Sequence, residues 1–139
     1  MISVVIDTSV VVSAALRPTS VPAAVVAAAL GDLLDWYVSE PILAEYDEVL
    51  KRDKFPLSSR WVDEFLGEIR STATLVQPKR TLTQAKDEPD NRFLECAETA
   101  QADFLITGNT RHFPHRWAET IILTPRAFID LWRKEVQSP

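Results

Sequence analysis

The sequence predicts an α/β layered domain with a central parallel sheet, and three observations predict it. Ile2-Ser3-Val4-Val5-Ile6 is a near-continuous β-branched run, the pattern of a strand buried on both faces. Phe104-Leu105-Ile106-Thr107 repeats that pattern far along the chain. Between the strand-like runs lie helical segments rather than two-residue turns, and strands joined by helices pair in parallel. A chain of 139 residues is large enough for one core, so residues 1–139 read as a single domain.

Taken in order, the first strand stops abruptly at Asp7-Thr8-Ser9 and gives way to a short apolar helix, Val10 to Leu16. Arg17-Pro18-Thr19-Ser20 breaks it. Pro22 then opens an Ala/Val-rich helix that closes near Gly31, a proline-first and glycine-last pattern. Trp36-Tyr37-Val38 is a short strand, Glu40 to Leu50 a helix, and Arg52 to Ser58 a proline-broken loop. An amphipathic helix runs from Ser59 to about Arg70, before a strand at Thr74-Leu75-Val76. These two helices form an insertion between the second and third strands. The polar stretch Gln77 to Pro89 leads into a helix from Asp90 to Gln101, then the buried strand at Phe104 with Gly108 as its turn. Thr120 to Leu123 is the last strand and Pro125 to Val136 the closing helix.

Composition narrows the function. The apolar stretches are too short to span a bilayer, so no membrane role is expected. No basic leader precedes the first apolar run, and Cys96 is the only cysteine, which together predict a cytoplasmic chain without a disulfide. A net charge of −5 excludes passive polyanion binding by basic excess. If the protein handles a polyanion, a divalent cation held by acids must bridge acid to phosphate.

The acids fall into a pattern. Asp7 ends a buried strand, at the rim where open α/β sheets bind ligands. Asp7, Thr8 or Ser9 could instead only cap the following helix. On the helix from Glu40, the apolar stripe Ile42, Leu43, Tyr46, Val49 and Leu50 leaves Glu45 just off one edge and Asp47 just off the other. Periodicity does not choose between them. Asp90 falls near the centre of the stripe Phe93, Leu94, Cys96, Ala97 and Ala100. An inward acid needs a partner. That partner is either the helix N-terminus, with Asp87 as cap, or a metal shared with Asp7. Three acids in four residues, Asp87, Glu88 and Asp90, exceed what capping requires. The reading therefore favours metal for Asp90 and capping or ligand support for Asp87. After the Phe104 strand, Asn109 offers a weak carbonyl ligand, and Arg111, His112, His115 and Arg116 form a small basic knot that could guide phosphate.

Asp7-Thr8-Ser9, Ser39-Glu40-Pro41-Ile42-Leu43-Ala44-Glu45-Tyr46, Asp87-Glu88-Pro89-Asp90-Asn91-Arg92-Phe93-Leu94 and Ala102-Asp103-Phe104-Leu105-Ile106-Thr107-Gly108-Asn109 together resemble the PIN domain. The nearest likeness is to toxin components of toxin–antitoxin systems related to VapC, and Ile122-Leu123-Thr124-Pro125-Arg126-Ala127-Phe128 is similar to that subgroup's closing segment. The resemblance covers nearly the whole chain, and it rests on four weak motifs in register. It implies a three-layer α/β/α sandwich and Mg²⁺- or Mn²⁺-dependent hydrolysis of single-stranded RNA. It selects Glu45, so that Asp7, Glu45 and Asp90 are the implied metal-binding, catalytic acids. Thr8, Ser9, Asp87, Asn91, Thr107 and Asn109 become supporting residues, with Arg111, His112 and Arg116 guiding RNA. It further implies a cognate antitoxin and a homodimer. Asn109 stands where family members commonly have an aspartate, which argues against a tightly held second metal. That departure keeps a catalytically weak RNA- or protein-binding module as the alternative. A phosphoacceptor domain is a weaker rival, since Thr124-Pro125-Arg126 lacks the lysine such a domain needs and no acid pair precedes Asp7.

Overall fold

In the computed structural model, which describes residues 1–137, six helices and six strands alternate along the described chain. Strand β1 (Ser3–Ile6) runs into α1 (Thr8–Leu16) and α2 (Val21–Leu30), followed by β2 (Asp35–Val38). Helices α3 (Glu40–Leu50) and α4 (Ser59–Thr72) precede β3 (Thr74–Leu75). After a single 3-10 turn at Glu88–Asp90 come α5 (Asn91–Ala100) and β4 (Phe104–Ile106). A second 3-10 turn, Thr110–His112, leads to β5 (Arg116–Trp117), β6 (Thr120–Leu123) and α6 (Pro125–Gln137).

The sheet order is β3-β2-β1-β4-β6-β5, parallel throughout except for the β5–β6 pair. Val4, Val5 and Ile6 of β1 lie opposite Phe104, Leu105 and Ile106 of β4, and all but Phe104 are wholly buried. This is the two-sided burial that their unbroken apolar runs require. From β1 the chain steps through β2 to β3 at one edge, then returns across β1 to β4. With right-handed crossovers, opposite directions of travel put the connecting helices on opposite faces. Helix α5 therefore covers one face, packing on β1, β2 and β4, while α1 to α4 gather on the other and α6 joins them against α2.

Local chemistry sets the element ends. Ser20, Ser39 and Ser58 each accept a backbone N–H at the start of α2, α3 and α4, and prolines occupy the first turns of α2 and α3. Three features differ from the sequence expectation. Helix α1 starts at Thr8 instead of Val10, because Asp7 already has cap geometry. The predicted helix from Asp90 is a 3-10 turn followed by α5 from Asn91, and it ends with Gln101 in the left-handed region at φ 52°. The β5 strand was not predicted: it is a two-residue antiparallel pairing with β6 whose turn holds Ala118 at φ 51°.

Candidate metal centre

The strand order reverses between β1 and β4, and it is at the carboxyl ends of strands at such a reversal that open α/β sheets bind ligands. Asp7 follows β1 and Thr107 follows β4. The Asp7 N–H donates to the Ile106 carbonyl (2.9 Å), which ties the two strand ends together. The Asp7 side chain is 3% exposed, and its Oδ2 accepts from Thr107 Oγ1 at 2.7 Å and from Ser9 Oγ at 2.9 Å. Asp7 occupies the N-cap position of α1 but makes no side-chain capping bond. Burial raises its pKa, opposed by the Thr107 and Ser9 hydroxyls. The hydroxyls are themselves fixed. Gly108 N–H donates to Ser9 Oγ (3.1 Å) and Asn109 N–H to Thr107 Oγ1 (2.9 Å). A Cβ at position 108 would sit 3.3 Å from Ser9 Oγ, so glycine suits this close approach.

Helix α3 supplies the second acid. Thr8 Oγ1 donates to Glu45 Oε2, so the first residue of α1 holds the Glu45 carboxylate toward the end of β1. One residue on, the buried Tyr46 hydroxyl donates to the carbonyl of Ile6, the last residue of β1. Tyr46 thereby fixes α3 to the strand that carries Asp7, a role that sequence periodicity, which marked it only as core, did not show. Burial raises the Glu45 pKa, and the Asp7 and Asp87 charges raise it further against the Thr8 hydrogen bond. Asp47 behaves differently: it pairs with Lys51 at 2.8 Å and lines the cleft between α3 and α4. Tyr46→Phe should cost about 1–2 kcal/mol by leaving the buried Ile6 carbonyl without this donor, measurable by thermal melting.

The third acid lies in the turn before α5. Asp90 makes no side-chain capping bond, and neither does Asp87 at the start of the same turn. Capping, the alternative for both, is therefore not what these side chains do. Burial pushes the Asp90 carboxyl up to about 7, reinforced by the charges of Asp7, Asp87 and Glu45 and opposed by His112. The charges of Asp7 and Asp87 thus act on both Glu45 and Asp90 at this end of the sheet. Asp87, Asp90 and His112 have ligand atoms all within 4.8 Å of one another, whereas Asp7, Glu45 and Asp90 are not drawn that close together.

The remaining expected residues separate. His112, expected as a phosphate guide, places Nδ1 3.5 Å from Asp90 Oδ2. Asn91, expected beside the ligands, braces the loop instead: its Oδ1 accepts from Ala85 N–H (2.8 Å) and its amide donates to the Glu88 carbonyl and carboxylate. Arg111 and Arg116 are exposed, the latter on β5. Cys96 is a buried thiol pushed up to about 12, which leaves it inert.

The donor set fits a hard divalent cation. Its candidate donors are mainly carboxylate oxygens, burial raises the pKa of all three acids, neighbouring negative charges raise those of Glu45 and Asp90 further, and no Lys or Arg among the described ion pairs reaches Asp7, Glu45 or Asp90. A divalent ion with oxygen ligands would relieve that repulsion.

A family model described as PIN domain matches residues 3–111. A protein of Methanocaldococcus jannaschii, MJ1680, described as uncharacterized, is 29% identical over 119 residues, covering 78% of this chain and 71% of its own.

Proposed function

The chain belongs to the PIN domain family, and from that premise we propose that it is a metal-dependent endoribonuclease that hydrolyses single-stranded RNA. What supports this reading is that Thr8 holds Glu45 toward the end of β1 where Asp7 sits, that the charges of Asp7 and Glu45 act on Asp90, that all three carboxyls are raised in pKa, and that neither Asp7 nor Asp90 makes a capping bond. These residues would hold Mg²⁺ or Mn²⁺, which when bound supplies Lewis acidity at a phosphodiester and favours deprotonation of an attacking water. The chain's own residues supply placement. Thr107 and Ser9 fix one oxygen of Asp7, Thr8 fixes Glu45, and Tyr46 anchors α3 to the end of β1. Exposed Arg111, next to His112, gives an otherwise acidic chain local positive charge suited to guiding a phosphate backbone, whereas Arg116 stands on the edge strand β5, level with Phe104 and Val4 and away from the strand ends.

The resemblance to VapC-related toxins supports a finer reading, in which the nuclease is the toxin of a toxin–antitoxin pair, cytoplasmic and dimeric. An apolar groove lined by Ala14, Val26, Leu30, Trp61 and Phe65, from α1, α2 and α4, offers a surface for such a partner. Asn109 favours a second reading, an RNA-binding module with weak cleavage, because a neutral amide replaces a charged ligand. Incubating labelled single-stranded RNA with the protein in Mn²⁺ and in chelator separates the two. Cleavage only with metal supports the nuclease, and retention of RNA without cleavage supports the binder. Asn109→Asp should tighten Mn²⁺ binding, since it adds a charged oxygen to a hard-cation site. Equal affinity by titration calorimetry would place Asn109 outside the coordination sphere.

A further inference from the structure

The irregular segment 76–87 connects β3 to the turn that carries Asp90, and α5 holds it along one polar stripe. Lys79 N–H donates to Thr99 Oγ1 (3.1 Å), and Arg80 grips the Glu98 carboxylate through two nitrogens (2.8 and 2.6 Å). Leu82 N–H donates to Glu95 Oε2 (2.8 Å) and Ala85 N–H to Asn91 Oδ1 (2.8 Å). The partners run back down the helix as the segment runs forward, so the two lie antiparallel. Acceptors at 91, 95, 98 and 99 keep helical spacing, which is why one face serves them all.

Glu95 differs from the others. Thr99 and Asn91 show that a neutral oxygen suffices to accept one backbone N–H. Glu95 instead places a carboxylate where it is only 6% exposed, and a buried charge is costly unless paired. What the charge adds is a hold on Arg92, whose guanidinium lies 2.8 Å from Glu95 Oε2 and 3.0 Å from Glu88 Oε1. Glu88 in turn accepts from the Asn91 amide at 2.7 Å. The links from Glu95 through Arg92 to Glu88 and Asn91 therefore meet on either side of Asp90 in the chain. Leu82, buried and bonded to the same Glu95 oxygen, fixes the segment that enters the turn.

We propose that Glu95 is a positioning residue for the acidic centre: through Arg92 and Glu88 it fixes the turn that presents Asp90. The proposal rests on the reading of Asp90 as a metal ligand. Glu95 touches none of the reacting groups in this account and acts only through the placement of that carboxylate.

The test is Mn²⁺ titration calorimetry on the full chain at a temperature where each variant is folded, with a thermal melt of each in chelator. Glu95→Gln keeps an oxygen for the Leu82 N–H and removes the charge that holds Arg92. Mn²⁺ affinity should fall about tenfold, the scale of losing a group that orients a ligand. Arg92→Gln, at a partly exposed position, cuts the same link at its middle and should do the same. Glu98→Gln releases Arg80 at the far end of the segment and should leave Mn²⁺ affinity unchanged. A lower Tm for Glu95→Gln with wild-type Mn²⁺ affinity would make Glu95 a purely structural residue and overturns the proposal. Equal losses of affinity in Glu95→Gln and Glu98→Gln overturn it too, since any loosening of the segment would then suffice. Where Glu95→Gln does not fold, unchanged affinity in Arg92→Gln overturns it. Asp90→Asn, measured alongside, separates the two readings. If it weakens Mn²⁺ binding and Glu95→Gln does not, the positioning role falls and the acidic centre stands. If Asp90→Asn leaves the affinity unchanged, or the wild type binds no Mn²⁺, the acidic centre falls and the positioning role with it.

Discussion

Asp7→Asn is expected to lower metal-dependent RNA cleavage by roughly 10²–10³-fold, the scale of losing one charged group aimed at the reacting centre, while the fold survives. Ser9 and Thr107 both donate to a single Asp7 oxygen, and an amide oxygen can still accept both bonds, though more weakly than a carboxylate. What asparagine removes is the negative charge. Glu45→Gln should behave alike, since the Thr8 hydrogen bond can be kept. Asp47→Asn is the control, because Asp47 is engaged with Lys51 on the other flank of α3 and should leave cleavage within a few-fold of wild type. Single-turnover cleavage in Mn²⁺, with a thermal melt of each variant, measures both parts. Comparable losses for Asp47→Asn and Glu45→Gln would remove Glu45 from its assigned place.

The second large effect is on stability in chelator, and its sign follows from the raised pKa of Asp90. The folded chain holds the Asp90 proton up to about pH 7, while the unfolded chain releases it near the ordinary value of 3.8. Below about pH 4 both states are protonated and the favourable contribution is complete. Between there and about pH 7 the folded state still binds a proton that the unfolded state has lost, so stability falls as pH rises. Asp7 and Glu45, also raised, act in the same direction. Asp90→Asn should therefore flatten this decline and stabilise the metal-free protein near pH 8 by about 1–2 kcal/mol, allowing for water that reaches the carboxylate. In a domain of this size that is roughly 3–8 °C in Tm. Melts of wild type and variant at pH 5 and pH 8 in chelator decide it. A variant that is less stable than wild type at pH 8 would contradict the repulsion account.

How much of this was legible in the sequence differs from residue to residue. The two central strands were readable because burial on both faces leaves an unbroken apolar run, and their parallel pairing followed from the helices between them. Asp7 stands out in the sequence because it stops such a run. Glu45 was not separable from Asp47 by periodicity, since both flank the same stripe. What separates them is tertiary, Thr8 on one side of α3 and Lys51 with α4 on the other. Asp90 was legible as inward-facing, but its turn was read as the first turn of a helix, and only the missing cap bonds show that the carboxylate is free of that duty. The nearness of His112 to Asp90 depends on a backbone bond between two loops, which has no periodic signature. The β5 pairing was hidden for a similar reason, since two residues are too few to show alternation. Periodicity marks Tyr46 only as core, and what its hydroxyl binds follows from the tertiary contact with Ile6, since a buried phenol needs a hydrogen-bond partner.

Joint ligation of a divalent cation by Asp7, Glu45 and Asp90 at the end of β1, as proposed above, is open to direct observation. Crystals of the wild-type chain grown with Mn²⁺, examined by anomalous scattering at the manganese edge, test it most directly. The expected result is an anomalous peak within coordination distance of carboxylate oxygens from all three residues, absent in Asp7→Asn crystals. Fully occupied Mn²⁺ elsewhere on the molecule, with none contacted by Asp7 and Glu45, would contradict it.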